Sequence, residues 1–428
     1  MSKISILPIK GGHAASAGSG YGAESISGIY SLNIPQGFVF MDRLVYREDD
    51  VIRPPYASGV ALGNAPGGTV LAVLNDGTDI LYAITSDSDY TKVYKSADAG
   101  ATWSTAYTFT AGEQLQTPAV TQGTWTIADL GTNVCIKNNS TSDCPIFITP
   151  GTTAWKFLST TLKGYCVCAH ENRLLVGGCL DSGTGGRNRI YYSDVGLYET
   201  NITTNYVNVG SASDAVRFMY DINGGLVVVK EHSIWMKTTT YEDGITSAQF
   251  HCVASGMSTP KDARVFNNVL YIFNSEGVFA FSGGDLRNIS TIVKGNWNFS
   301  HDWRLGYWQK MNWLYCVDIT PASSQAYILD LNKGRWMHDT VQWTNFGGNV
   351  YTNICFYTDG TTIPKQLTDA TSVKAGTLRI PFNNLGSPQE EKYLRRLLID
   401  YKSTGTLDVK IYGRKADGTI STLYDSTV

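Results

Sequence analysis

The chain has 428 residues, 43% of them hydrophobic and 17% charged, with 34 Lys+Arg against 37 Asp+Glu for a net charge of −3. That apolar share supports a real core and excludes wholesale disorder. The near-neutral balance argues against a dedicated nucleic-acid binder, which carries a basic face.

Residues 1–66 differ in character from the rest of the chain. The apolar run Ile4 to Leu7 is short and is broken by Pro8, which does not make a signal-peptide core. No stretch approaches the ~18 apolar residues of a membrane span. A protein made and folded in a cytoplasm is expected, with no membrane insertion. Gly11 to Gly20 is small and featureless and reads as an arm. Gly37-Phe38-Val39-Phe40-Met41 resembles a strand, and Arg53-Pro54-Pro55 cannot continue a sheet interior.

From about residue 67 short apolar runs recur, rich in Val, Ile, Tyr, Phe and Trp and bounded by Gly, Asn, Asp or Ser. The clearest unit is Ala263–Phe266, Asn267-Asn268, Val269–Phe273, Ser275-Glu276-Gly277, Val278–Phe281: three antiparallel strands joined by tight turns. Arg217–Tyr220 with Leu226–Val229 and Ile234–Met236 repeats it, as does Arg304–Trp308 with Trp313–Val317 and Ala326–Leu329. Weaker copies occupy 68–108, 117–158 and 164–209. The period of roughly 40–50 residues is that of propeller blades. One small sheet cannot bury both faces, so the six copies must stack around an axis. The expectation is an all-β chain with a six-bladed β-propeller over 67–370. A small β-domain over 371–428 comes next, completed by strands from the N-terminal arm, so that the propeller is inserted into it. There a helical turn at Ser387-Pro388-Gln389-Glu390 is expected to run into a strand at 393–401.

Eight cysteines are scattered through the chain. Cys166 and Cys168 lie two apart and share one strand face, so they do not bridge each other. No second Cys/His pair completes a metal site with Cys166-Val167-Cys168-Ala169-His170. The thiols read as small buried hydrophobes.

Ser96-Ala97-Asp98-Ala99-Gly100-Ala101-Thr102-Trp103 matches the Asp-box S-x-D-x-G-x-T-W. Asp98 accepts backbone N–H bonds within a hairpin turn, Gly100 supplies a positive φ, and Trp103 packs beneath the next strand. The motif resembles that of bacterial sialidases and other propellers, where it closes an outer hairpin away from the ligand-binding centre. Arg379-Ile380-Pro381 spells that family's arginine motif but lies after all the blades, so it reads as coincidence. No nucleophile elbow, zinc motif or phosphate loop is present. Trp235, Trp297, Trp303, Trp308, Trp313, Trp336 and Trp343 read as inter-blade packing before they read as a sugar platform. Lys392, Arg395 and Arg396 form a candidate docking face. No catalytic residue, metal or cofactor is expected.

One series of segments carries a resemblance. Asn188 to Asn201, with Arg189, Tyr191, Ser193, Asp194 and Gly196 in place, is similar to an "R-I-Y-x-S-D-x-G" blade found in tail proteins of double-stranded DNA phages. Gly224 to Trp235 and Ala326 to Trp336 resemble the next blades there, and Arg395 to Val409 resembles their C-terminal region. Together these cover about 187–428 in the family's order. The chain thus resembles the β-propeller tail nozzle, or tail tubular, proteins of short-tailed phages. The resemblance implies a structural virion protein at the head–tail connection. It implies a homo-oligomeric ring, a hexamer, below the portal and adaptor. Such a ring lines the exit channel for double-stranded DNA without gripping it and holds tail fibres or spikes. The alternatives are a carbohydrate-active or carbohydrate-binding propeller and a receptor-binding tail protein.

Overall fold

In the computed structural model, residues 162–348 are described with short breaks at 180–185, 239–244 and 246–248 and at a few positions after 291. Outside that span the described residues are strands and the turns beside them. The chain forms two compact units. One comprises 56–328 and 340–370; the other comprises 1–55, 329–339 and 371–428.

The first unit is a β-propeller, and each of the six copies read from the sequence is a blade. Blade 1 runs Thr69–Asn75, Leu81–Ser86, Thr91–Ser96 and Ser104–Thr108. Blade 2 runs Trp125–Asp129, Val134–Asn138, Ile146–Ile148 and Trp155–Phe157. Blade 3 runs Cys166–His170, Arg173–Gly177, Arg189–Tyr192 and Tyr206–Asn208. Blade 4 runs Val216–Ile222, Gly225–Lys230, Ser233–Thr238 and Gln249–Ser255. Blade 5 runs Asp262–Phe266, Val269–Asn274, Gly277–Phe281 and Arg287–Asn288. Blade 6 begins with Trp303–Trp308, Trp313–Asp318 and Ala326–Asp330.

A further sheet, absent from the six copies in the sequence, stands between blades 6 and 1. Asn345–Gly348, Cys355–Thr358 and Lys365–Gln366 pair in order, and Val60–Ala61 from the start of the unit completes them. Its Asn345–Gly348 strand packs on both Trp303–Trp308 and Thr69–Asn75, so the circle of innermost strands closes there.

The hairpins are set by local chemistry. The first turns of blades 3, 4 and 5 are two-residue links with both φ positive: Glu171 and Asn172 (50°, 54°), Asn223 and Gly224 (53°, 79°), Asn267 and Asn268 (49°, 60°). That conformation matches the twist of the flanking strands and suits Asn and Gly. Glu171 is the exception: it lacks the short side chain whose local hydrogen bonds let Asn visit this region, where the left-handed backbone costs about 1–2 kcal/mol.

Alternation along each strand feeds two interfaces at once. Val167, Leu174 and Val176 of blade 3 pack with Ala128, Cys135 and Phe147 of blade 2. Cys166, Cys168 and Leu175 pack the other way, with Val216, Met219, Leu226 and Val228 of blade 4. Phe218, Val227 and Val229 of blade 4 meet Ala263, Leu270 and Ile272 of blade 5. The tryptophans behave likewise: Trp297, Trp303, Trp308 and Trp313 are buried, with Trp303 stacked on Phe273 at 5.3 Å.

In the second unit, Ile4–Pro8 lies between Ile29–Leu32 and Leu394–Ile399, with Ala23–Ile26 at the edge. Phe40–Asp42 pairs antiparallel with Thr377–Arg379 and parallel with Arg335–Asp339. Asp408–Arg414 and Ile420–Thr427 form a hairpin. The helical turn expected at 387–390 and the arm at 11–20 lie outside the described residues.

Candidate functional site

The Asp-box closes the last hairpin of blade 1, between Thr91–Ser96 and Ser104–Thr108. Asp98 Oδ1 accepts the Thr102 backbone N–H at 2.8 Å and the Ser96 hydroxyl at 2.7 Å; Oδ2 accepts the Thr102 hydroxyl at 2.6 Å. Ser96 Oγ in turn accepts the Gly100 N–H at 2.8 Å, and Gly100 has φ +93°. These donors, the Thr102 hydroxyl first, hold the Asp98 carboxyl down at about 2. Trp103 packs beside Leu81 and Val73 of the same blade. The carboxylate is consumed by its own turn.

The phage-like segment of blade 3 has the same character. Ser193 Oγ accepts the Leu174 N–H at 3.0 Å, and the Ser193 carbonyl accepts Arg173 Nη1 at 2.7 Å. Asp194 accepts the side-chain amides of Asn201 (2.9 Å) and Asn205 (3.2 Å). Gly196 (φ +67°) donates its N–H to Asn172 O at 2.8 Å. Tyr198 Oη sits 3.0 Å from Leu130 O of blade 2 and 2.7 Å from Asn172 Oδ1. Arg189 lies over the Tyr206 ring at 4.2 Å, and the Tyr191 ring is 5.7 Å from the same ring. This heavily tied loop and the strand after it present Val195 (56% exposed), Leu197 (59%) and Tyr206 (45%) to solvent. They are the exposed large hydrophobics among the described residues. Val195 and Leu197 stand two positions apart on a loop fixed by these bonds, and Tyr206 begins the strand that follows.

Of the candidate docking face, Arg395 and Arg396 lie on the strand Leu394–Ile399, with Arg396 opposite Leu7. Lys392 lies outside the described residues.

Two polar clusters escaped the sequence reading. Between blades 3 and 4, His170 (side chain 1% exposed) sets Nδ1 2.7 Å from Asp221 Oδ2 and Nε2 3.4 Å from Lys237 Nζ. Lys237 is buried and also donates to Glu171. The tautomer with its proton on Nδ1 satisfies both contacts. Burial raises Asp221, but the His170 and Gly224 hydrogen bonds outweigh it and its pKa sits below the ordinary carboxylate value. The Glu171–Lys237 pair explains why a glutamate tolerates the left-handed turn.

The second cluster lies on the innermost strands. Arg264 Nη1 of blade 5 donates to Trp125 O of blade 2 at 2.9 Å. Asp262 Oδ1 is 3.3 Å from Arg264 Nε, and Asp262 Oδ2 accepts the Leu305 N–H of blade 6 at 2.8 Å. Tyr220 of blade 4 donates its hydroxyl to Ala263 O. Burial opposes the charge on Arg264, but Asp262 beside it raises its pKa above the ordinary value. The one signal in the sequence was a charged residue among the apolar positions of a strand, Arg264 between Ala263 and Val265 and Lys237 after Met236; it does not identify the partner.

No family model and no curated protein matches the chain. Among solved structures, it is similar to the WD40 β-propeller domain of Doa1, at 8% identity and TM-score 0.47 over 74% of this chain and 97% of that one. It is also similar to Kuenenia stuttgartiensis hydrazine synthase, at 11% identity and TM-score 0.47 over 74% and 100%. BamB from Moraxella catarrhalis is similar at 12% identity and TM-score 0.42, over 79% and 100%.

Proposed function

We propose that this chain is a structural virion protein, a tail nozzle component that forms a ring of identical subunits around the DNA exit channel of a short-tailed phage. The observation that carries the reading is the blade 3 segment, where the residues of the phage-like motif are spent on fixing one loop in place. That loop and the strand after it offer Val195, Leu197 and Tyr206 outward. Rigid apolar and aromatic surface is what a repeated subunit contact uses. A ring of one chain needs heterologous contacts that close.

The aspartates of both sequence motifs support the same reading, since Asp98 and Asp194 each accept bonds from their own turns. The propeller shaft is crossed by Arg264, so the conduit in this reading is the lumen between subunits. A net charge of −3 suits a wall along which DNA slides, because phosphate neutralisation by Lys/Arg is what creates grip.

The test is assembly. Purified protein is mixed with DNA-filled phage heads that carry portal and adaptor but no tail, and the particles are imaged. A ring of this chain below the adaptor, with DNA retained, is expected. A chain that stays monomeric beside those heads, or that turns over glycosyl substrates, would overturn the proposal.

A further inference from the structure

A propeller blade ordinarily touches its two neighbours, so strain passes around the circle one blade at a time. The innermost strands of this propeller include one contact of a different kind. Arg264 and Trp125 are 139 positions apart in the chain, and their blades do not adjoin. Going round the circle one way, blades 3 and 4 stand between them. Going the other way, blade 6, the closing sheet and blade 1 do. The 2.9 Å bond from Arg264 Nη1 to Trp125 O therefore spans the shaft itself.

The guanidinium is held for that role. Asp262, fully buried two residues earlier, lies against its Nε and is itself fixed by the N–H groups of Ala263 and Leu305. Tyr220 fixes the Ala263 carbonyl from blade 4. At the far end, the hydroxyl of Thr126, next to Trp125, accepts the Val167 N–H of blade 3 at 3.1 Å. The receiving strand is thereby tied to its own neighbour.

We infer that Arg264 is an axial brace: it couples blade 5 directly to blade 2 across the shaft. This holds whatever ring or partner the chain joins. A hydrogen bond from a charged donor to a buried carbonyl contributes enough to change local opening about tenfold.

Hydrogen exchange measured by mass spectrometry on the full chain tests the inference. In Arg264→Met, amides of residues 125–129 are expected to exchange about tenfold faster, while 173–177 in the intervening blade 3 keep their protection. If that variant fails to fold, Arg264→Lys keeps the cation beside Asp262 and loses the Nη1 arm. The same pattern is then expected at about threefold. Faster exchange confined to blade 5 and its neighbours at 216–222 and 303–308 would overturn the brace. So would an even rise over all blades, or a Lys variant identical to wild type at 125–129.

Discussion

Gly178 comes directly after the second strand of blade 3 with φ +71° and donates its N–H to Arg189 O at 3.0 Å. A Cβ added there would lie 2.3 Å from Val216 O, on the innermost strand of blade 4, and 2.7 Å from the Tyr165 ring. Gly178→Ala therefore suffers two costs. The left-handed backbone costs about 1–2 kcal/mol for any residue with a Cβ. The clash is with backbone, so relief requires blades 3 and 4 to part, which costs about 1–3 kcal/mol more by analogy with overpacked cores. Gly131 isolates the first cost, because its φ is +77° and nothing lies within 4 Å of the added Cβ. The gain from stiffening the unfolded chain, about 0.4–1 kcal/mol, is common to both variants and cancels in the comparison. Urea denaturation should place Gly131→Ala within about 1 kcal/mol of wild type and Gly178→Ala about 2–3 kcal/mol below it. Equal losses would refute the idea that blade contact, not backbone conformation, dictates glycine at 178.

Glu171→Ala should cost about 2 kcal/mol, because it leaves the buried Lys237 ammonium only the 3.4 Å contact to His170 Nε2, whereas Lys237→Met should cost about 1 kcal/mol; calorimetry that reverses the order would refute the pairing. Asp98→Ala should lower thermal stability and loosen the amides of Gly100 and Thr102. Asp98 has its carboxyl at about 2, below its ordinary value of 3.8, so its contribution is present above about pH 4 and is lost as pH falls toward 2. The Thr102 amide resonance should accordingly stay fixed down to pH 4. Burial pushes the thiols of Cys135, Cys166, Cys168 and Cys316 up, while Cys252 is exposed. Brief alkylation of native protein should label Cys252 and spare those four, as read by peptide mapping. Val195→Ser with Leu197→Ser should leave stability within about 0.5 kcal/mol and reduce ring formation on phage heads.

Blades 3 to 6 were legible because their strands, turns and apolar faces are consecutive in the chain. Asn223-Gly224 and Asn267-Asn268 announce tight hairpins, and Leu226–Val229 and Val269–Phe273 announce buried central strands. The closing sheet was not legible, because its fourth strand is Val60–Ala61, two residues whose partners Lys365 and Gln366 lie far along the chain. A two-residue pairing leaves no periodic trace. The hydrogen bonds of the Asp-box turn run among Ser96, Asp98, Gly100 and Thr102, all within the motif, so that turn has a local sequence signature. The contact of Arg264 has none, because it binds a main-chain carbonyl on a distant blade, and a carbonyl has no sequence signature.

That closing sheet also sets a clock. Val60–Ala61 leaves the ribosome about 300 residues before the strand it must pair with. At ordinary elongation rates of 5–20 residues per second, that is an interval of roughly 15–60 s. Throughout it, blade 1 lacks the sheet that will pack against its innermost strand Thr69–Asn75. The last steps of synthesis are therefore when the propeller becomes a closed object, and the first blade made is the one that waits longest for its partner.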